Sequence, residues 1–327
     1  MHKGFKKLDE FLSKYDNFII STHESPDWDG LGAEIAFREL LVNLGKNPII
    51  LNSDPVFETF ENMDIDNEIN VLTADAKLPE NICDYAQIVL DTNEFSNIGA
   101  AYTKLSGCVR DIFIIDHHEG GKDKLESNFI KVEASSACEI VYEIIKFYKK
   151  PISFKAAQAL FAGTVFDTGS FQYSKTSKGT FKMASELVSL GVKPHKVYEK
   201  IYENNSLPSF ELRALIISSM EVLYGGKLVA MKLTPDMLTK SGASFPEGET
   251  TINLPLTVRG VVASVLVKQD IDSEVVKVSM RTKDDLNVAE IAMANGGGGH
   301  KNAAGYKSKV SFDETYKQAI LNMKRLF

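Results

Sequence analysis

The chain is poor in cysteine: Cys83, Cys108 and Cys138 are the only three in 327 residues, an odd number set far apart. That excludes a disulfide framework, and no C-x-x-C pair is available for a metal or redox site. The expectation is buried free thiols in a reducing compartment. Long hydrophobic runs are also missing, with nothing near the ~18 apolar residues of a membrane span. The N-terminal MHKGFKKLDEFLSKYDNF is charged throughout and has no signal-like apolar stretch. A soluble, cytoplasmic protein with no membrane partner is expected. Positive charge is not in excess: 37 Lys and Arg against 44 Asp and Glu leave a net charge of -7. This argues against a track for long or duplex nucleic acid. A small anionic substrate stays open, because bound cations add positive charge that a sequence does not display.

What is present is ordinary for a globular protein, 44% apolar and 25% charged, and the length favours two domains. Residues 17–22 (NFIIST) form an apolar run of strand length. Asp29 to Leu44 follows as a helix, with Asp29 as its cap, Leu31, Ile35, Leu40 and Leu44 as its apolar face, and Gly45 as its stop. Further strands are expected at 48–51, 87–90 and 112–115. Alternating strands and helices imply an α/β fold with a doubly wound, mostly parallel sheet, whose ligands sit beyond the carboxyl ends of the strands. From about 134 to 220 the chain reads as helical, with breaks at Pro151, Gly191–Pro194 and Pro208. Strands at 227–233, 257–268 and 275–281 and a short helix near 286–294 then suggest a smaller α/β domain. The expected division is a domain over 1–190, helical linker segments over 191–220 and a second domain over 221–327.

Four polar clusters follow the apolar runs: His23-Glu-Ser-Pro-Asp27-Trp-Asp29, then Asp91, Asp116-His117-His118, and Asp167-Thr-Gly169. Singly, each reads as turn, cap or core. Asp91 alone would be a turn former and Asp29 a helix cap. Together they would crowd five carboxylates and three imidazoles at one sheet edge, with no matching Lys or Arg in these loops. Bound cations resolve the repulsion. Oxygen and nitrogen donors without cysteine suit Mn²⁺ or Mg²⁺ better than a structural zinc, and two ions sharing a carboxylate suit the number of ligands. A dinucleotide reading of Gly30-Leu-Gly32 fails on two counts. Ile35 stands where the third glycine belongs, and Asp27 and Asp29 would face the pyrophosphate. Near the C-terminus, Gly296-Gly297-Gly298-Gly299-His300 permits close approach of backbone N–H groups to an anion. A following helix start and Arg281 are candidates to complete the phosphate site. A surface loop and a surface salt bridge are the plainer readings of those two features.

These motifs resemble the DHH phosphoesterases with their DHH-associated C-terminal domain. The first cluster is similar to that family's H-x-x-P-D-x-D, the third to D-H-H, the fourth to D-T-G, and Gly296–Gly305 to its G-G-G-H-x-x-A-A-G signature. The resemblance runs in order from about residue 17 to 310. It implies one metal held by His23, Asp27 and Asp91 and a second held by Asp29, Asp91, His117 and Asp167, with Asp91 bridging. The two divalent ions would be Mn²⁺ foremost, with Mg²⁺ or Co²⁺ as alternatives. Asp116 would orient an imidazole and His118 would meet the scissile phosphate. Arg281, Gly297, Gly298, Gly299 and His300 would bind substrate. The implied reaction is attack of a metal-bridged hydroxide on phosphorus. The two-domain plan is most similar to the nanoRNase type, which acts on very short oligoribonucleotides and on 3′-phosphoadenosine 5′-phosphate. A soluble cyclic di-AMP phosphodiesterase, a pyrophosphatase and a non-catalytic nucleotide sensor are the alternatives. The oligomeric state, a homodimer included, is left open. Departures from the family pattern are Ala33 for a common serine, Trp28 between the aspartates, and Asn97 and Gln172 where basic residues are common. Trp28 is expected to pack rather than to stack on a base.

Overall fold

Short apolar runs rich in β-branched residues become central strands because both of their faces can be buried. In a computed structural model, which describes residues 2–57, 60, 67–72, 78–120 and 128–327, six such runs form one sheet. They are β1 (Asn17–Ser21), β2 (Asn47–Asn52), β3 (Ile69–Val71), β4 (Tyr85–Leu90), β5 (Ile112–Asp116) and β6 (Asn128–Ile130). Their order is β3-β2-β1-β4-β5-β6, and every pairing is parallel. The order reverses direction between β1 and β4, so a crevice opens there at the strands' carboxyl ends.

Successive side chains of a strand point to opposite faces. Phe18, Ile20, Ile88, Leu90, Phe113 and Ile115 therefore enter one core with α1 (Lys3–Leu12), α2 (Trp28–Asn43), and two helices met below. Ile19, Val89 and Ile114 enter a second core beneath α3 (Ala100–Leu105). The first core is completed by α4 (Ala137–Phe147) and α5 (Phe154–Asp167), followed by α6 (Lys178–Ser189) and α7 (Pro194–Tyr202).

The chain divides into two compact units, Met1–Asn204 and Asn205–Phe327. The division falls inside the segment read as linker, so α7 belongs to the first unit and α8 (Leu207–Ser218) to the second. The second unit holds a mixed sheet ordered β11-β12-β10-β9-β8-β7. Its strands are β7 (Glu221–Leu223), β8 (Leu228–Leu233), β9 (Ala263–Gln269), β10 (Val276–Thr282), β11 (Gly298–His300) and β12 (Ala303–Ser308). Its helices include α9 (Pro235–Ser241), α10 (Ala289–Ala294) and α11 (Phe312–Met323).

Several expectations are corrected. Asp27, not Asp29, caps α2: its Oδ1 accepts the N–H groups of Asp29 and Gly30. Pro208 does not break a helix but lies in the first turn of α8, where its missing N–H costs nothing. Asp167 ends a helix, so the fourth cluster reaches the others from α5 and not from the sheet edge. Residues 257–262 precede β9 instead of opening it. The glycine run is not followed by a helix start. Gly298–His300 pairs antiparallel with Ala303–Ser308 as a hairpin, and α11 begins only at Phe312. Of the three thiols, only Cys138 is buried. No helix among the described residues is long and apolar enough to cross a membrane.

Candidate metal centre

The parallel sheet brings the clusters together by the ends of its strands. His23 lies just past β1, Asp91 just past β4, and Asp116 closes β5 with His117 and His118 following. Asp27 and Asp29 come from the start of α2 and Asp167 from the end of α5. Three groups of donor atoms converge: His23, Asp27 and Asp91; Asp29, His117 and Asp167; and Asp91, Asp116, His117 and His118.

Asp91 belongs to both sides. Its Oδ2 lies 3.6 Å from His23 Nε2, while its Oδ1 lies 3.3 Å from His117 Nε2. His23 Nε2 is also 3.8 Å from Asp27 Oδ2. His117 Nε2 is 3.7 Å from Asp29 Oδ2 and 3.2 Å from Asp167 Oδ2. These separations exceed good charge-assisted hydrogen bonds, which run ~2.7–2.9 Å. They resemble the spacing of atoms sharing an ion at ~2.1 Å, about 3 Å or more from one another. Asp91 Oδ1 and His117 Nε2 are buried without a hydrogen bond of ordinary geometry among the described residues. Buried polar atoms are rarely left so.

The electrostatics agree. Burial, and then the charge of Asp91, push Asp29 up to about 7. Burial and Asp91 also raise Asp27, while burial and Asp29 raise Asp167 well above the carboxylate range. Burial opposes charge on His117, yet Asp91 and then Asp29 outweigh it and push it up to about 10. His23 is likewise pushed up to about 10, burial being overcome by Asp91 and then Asp27. Asp91 is held low: burial works against its charge, but the nearness of the His117 and His23 imidazoles prevails. Without a cation the cluster must therefore retain protons on its imidazoles and on some carboxyls. A donor set of carboxylate oxygens and imidazole nitrogens with orphaned buried atoms fits divalent metal ions.

The remaining ring nitrogens are held from outside. His23 Nδ1 bonds the Glu24 carbonyl at 2.8 Å, and His117 Nδ1 meets the Ala134 carbonyl at 3.4 Å. His118 is different: its Nδ1 lies 2.7 Å from Asp116 Oδ1, and its side chain is 33% exposed against 5% for His117. Burial opposes the charged form of His118, but Asp116 and then Asp91 raise its pKa above the ordinary value.

Trp28 is buried against Phe57 and Phe60, with ring centroids 5.1 and 5.0 Å away, so it packs as expected. Ala33 is fully buried in α2 and Gln172 is exposed, while the Asn97 carbonyl accepts the N–H of Glu24. Two features escaped the sequence reading. Lys175 donates to the His117 carbonyl at 3.2 Å, a cation beside loops that had seemed to lack one. The segment Ser135–Glu139 at the head of α4 touches Asp29 directly. Neither carries a motif; only their place in space marks them.

In the second unit, Arg281 lies on β10 between Ser264 of β9 and Ala303 of β12, half-buried, with Nη1 donating to the Met280 carbonyl. The glycines divide by role. A Cβ on Gly297 would strike the Gly305 carbonyl and Tyr306, and Gly299 takes φ +132° against Ala303 and Ala304. Both are required by the hairpin. Gly298 instead faces open space. His300 closes β11 by pairing with Ala303, and its side chain lies outside the described residues.

A family model for the DHH family, N-terminal domain, matches residues 17–164, and one for the DHHA1 domain matches 228–324. A membrane protein–large ribosomal subunit bL9 fusion protein of Onion yellows phytoplasma is 28% identical over 91% of this chain, which spans 36% of that relative. The bifunctional oligoribonuclease and PAP phosphatase NrnA of Thermus thermophilus is 27% identical over 92% of this chain and 87% of its own. Relatives titled cyclic-di-AMP phosphodiesterase also match, the chain spanning 48% of their length. The chain thus spans about a third to a half of several of its curated relatives. The fold is also that of an exopolyphosphatase-related protein from Bacteroides fragilis, with TM-score 0.90 at 23% identity, covering 99% of this chain and 97% of that one.

Proposed function

The chain belongs to the DHH family of metal-dependent phosphoesterases, and on that premise we propose that it hydrolyses phosphate esters of short oligoribonucleotides and of 3′-phosphoadenosine 5′-phosphate with two divalent ions. The observation that carries this reading is Asp91, whose two carboxylate oxygens face different imidazoles. His23, Asp27 and Asp91 would hold one ion, and Asp29, Asp91, His117 and Asp167 the other. Mn²⁺ is the ion we assign to this carboxylate-rich set, with Mg²⁺ or Co²⁺ as substitutes, since carboxylate oxygens suit hard divalent cations. Two such ions supply an activated water and neutralise a phosphoryl oxygen.

The chain's own residues do the rest. Hydrolysis adds water to phosphorus and breaks the bond to the departing oxygen, which then needs a proton. His118 is suited to give it: Asp116 holds its Nδ1 and favours the imidazolium, the proton-bearing form a donor needs. Arg281 and the open face at Gly298 are assigned to a substrate phosphate, together with His300. The net charge of -7 supports small substrates over long strands. The extent of the NrnA match, 87% of that relative, supports linear short substrates over cyclic di-AMP.

The test is hydrolysis of 3′-phosphoadenosine 5′-phosphate, pApA, cyclic di-AMP, a 5′-phosphorylated trimer, a long single strand and pyrophosphate, with Mn²⁺ or with chelator. Metal-dependent turnover of the short linear substrates is expected. Preference for cyclic di-AMP would move the assignment to the signalling substrate. Nucleotide binding without turnover in any divalent metal would make the protein a sensor.

A further inference from the structure

Asp29 is fully buried, and both of its carboxylate oxygens accept backbone hydrogen bonds from a single helix start. Ala137 N–H reaches Oδ2 at 2.6 Å and Cys138 N–H reaches Oδ1 at 2.9 Å. These are the first two residues of α4, whose N–H groups have no partner inside the helix. The same segment holds a second member of the cluster, because the Ala134 carbonyl meets His117 Nδ1 and leaves Nε2 facing Asp29, Asp91 and Asp167. The segment is itself pinned. Ser136 caps α4 by accepting the Glu139 N–H, and the Glu139 carboxylate accepts from Ser135 N–H, Ser135 Oγ and Thr180 Oγ1. Asp27, by contrast, receives its two backbone bonds on one oxygen from its own helix.

We propose that residues Ala134–Glu139 are a positioning clip for one of the two metal sites, orienting Asp29 through the Ala137 and Cys138 N–H groups and His117 through the Ala134 carbonyl. This rests on the two-ion reading above. Each Asp29 oxygen keeps a second lone pair for an ion, and two bonds from a rigid helix start fix the plane of the carboxylate. Losing such outer support typically costs ~10–100-fold in metal affinity. The loss falls on the Asp29, His117 and Asp167 site and spares the His23 and Asp27 site, whose hydrogen bonds among the described residues go to Glu24, Asp29 and Gly30 instead.

The backbone offers a test. Proline is well accepted at the first position of a helix, and the extended Ser136 before it, φ -167° and ψ 161°, suits a following proline. Ala137→Pro therefore keeps the helix start but removes one N–H bond to Asp29, and its ring carbon, standing where the N–H stood, displaces the Oδ2 that lies 2.6 Å from that nitrogen. Mn²⁺ is titrated calorimetrically into metal-free wild type, A137P, A137G (which keeps the N–H) and S136A (which keeps every N–H and loosens the cap). We expect two classes of site in the wild type and in A137G. In A137P one class alone weakens ~10–100-fold, and in S136A the same class weakens less. Two unaltered classes in folded A137P overturn the clip; if A137P does not fold, wild-type binding by S136A overturns it. A wild type that binds fewer than two ions would instead overturn the two-ion reading itself.

Discussion

Asp91 takes left-handed backbone angles, φ +62°, directly after β4. Such a conformation costs a residue other than glycine about 1–3 kcal/mol, and aspartate tolerates it better than most. The strain accompanies a carboxylate that turns one oxygen to each half of the cluster. Asp91→Ala should therefore lower Mn²⁺-dependent turnover by more than about 100-fold, beyond the usual loss for an outer support. Wild-type turnover in that variant with metal supplied would remove the shared-ligand reading. His118→Ala tests the proton donor separately. On a nucleotide ester kcat should fall ~10²–10⁴-fold, and much less on a p-nitrophenyl ester, whose leaving oxygen needs no proton. Equal losses on both would assign His118 to binding alone.

Among the elements, the contact of α2 with α4 and α5 sets the site's geometry. Gly163 allows it: a Cβ there would lie 2.8 Å from Asp29 Cα and 2.5 Å from Cys138 Sγ. Gly32 does the same for α2 against the Ala159 carbonyl. Gly163→Ala should destabilise the first unit by about 1–3 kcal/mol, the usual cost of overpacking, seen as a lower Tm. It should also weaken metal binding, since Asp29 is pushed with the helix; an unchanged Tm would mean that the helices separate freely. The sequence marked α2 through its apolar spacing and its acidic start, and marked β1, β4 and β5 through apolar runs, the last two with aspartate directly behind them. It did not mark Asp27 as the cap, because Asp27 and Asp29 are equally good caps by type and only the backbone decides. Nor did it reveal the head of α4 as a partner of Asp29, since that contact joins residues more than a hundred positions apart.

On the scale of the whole molecule, binding ions to the folded state alone must stabilise it. The gain is about 2.7 kcal/mol for each site at a hundredfold excess over Kd. Mn²⁺ should raise Tm and EDTA should lower it, and a Tm indifferent to both would count against a preformed centre. Proton release gives a further check. His23 and His117, pushed up to about 10 in the ion-free cluster, carry protons at neutral pH that an ion must displace. Each drop in proton concentration therefore favours the metal, so affinity should climb as pH rises from 6 toward 9. Titrations in buffers of different ionisation enthalpy would count the protons; none released would contradict the raised imidazoles.

The strand order β3-β2-β1-β4-β5-β6 is one that other doubly wound proteins use to bind dinucleotides. Fold alone therefore does not choose the ligand. The chain does so locally, by placing Asp27 and Asp29 in the first βα turn, where such proteins keep glycine and free N–H groups, and Asp91 and Asp116 at the neighbouring strand ends. That clustering was legible from the sequence, because strand length, side-chain alternation and the residues after each strand are local properties. The glycine run was legible in composition but not in role. Whether Gly297, Gly298 or Gly299 is needed depends on what β12 presses against each one. Only the tertiary structure decided which oxygen of Asp91 faces which imidazole, that Lys175 and the start of α4 reach the same site, and that Trp28 lies against Phe57 and Phe60. These are meetings of residues distant in the chain, and packing selects them where propensity does not.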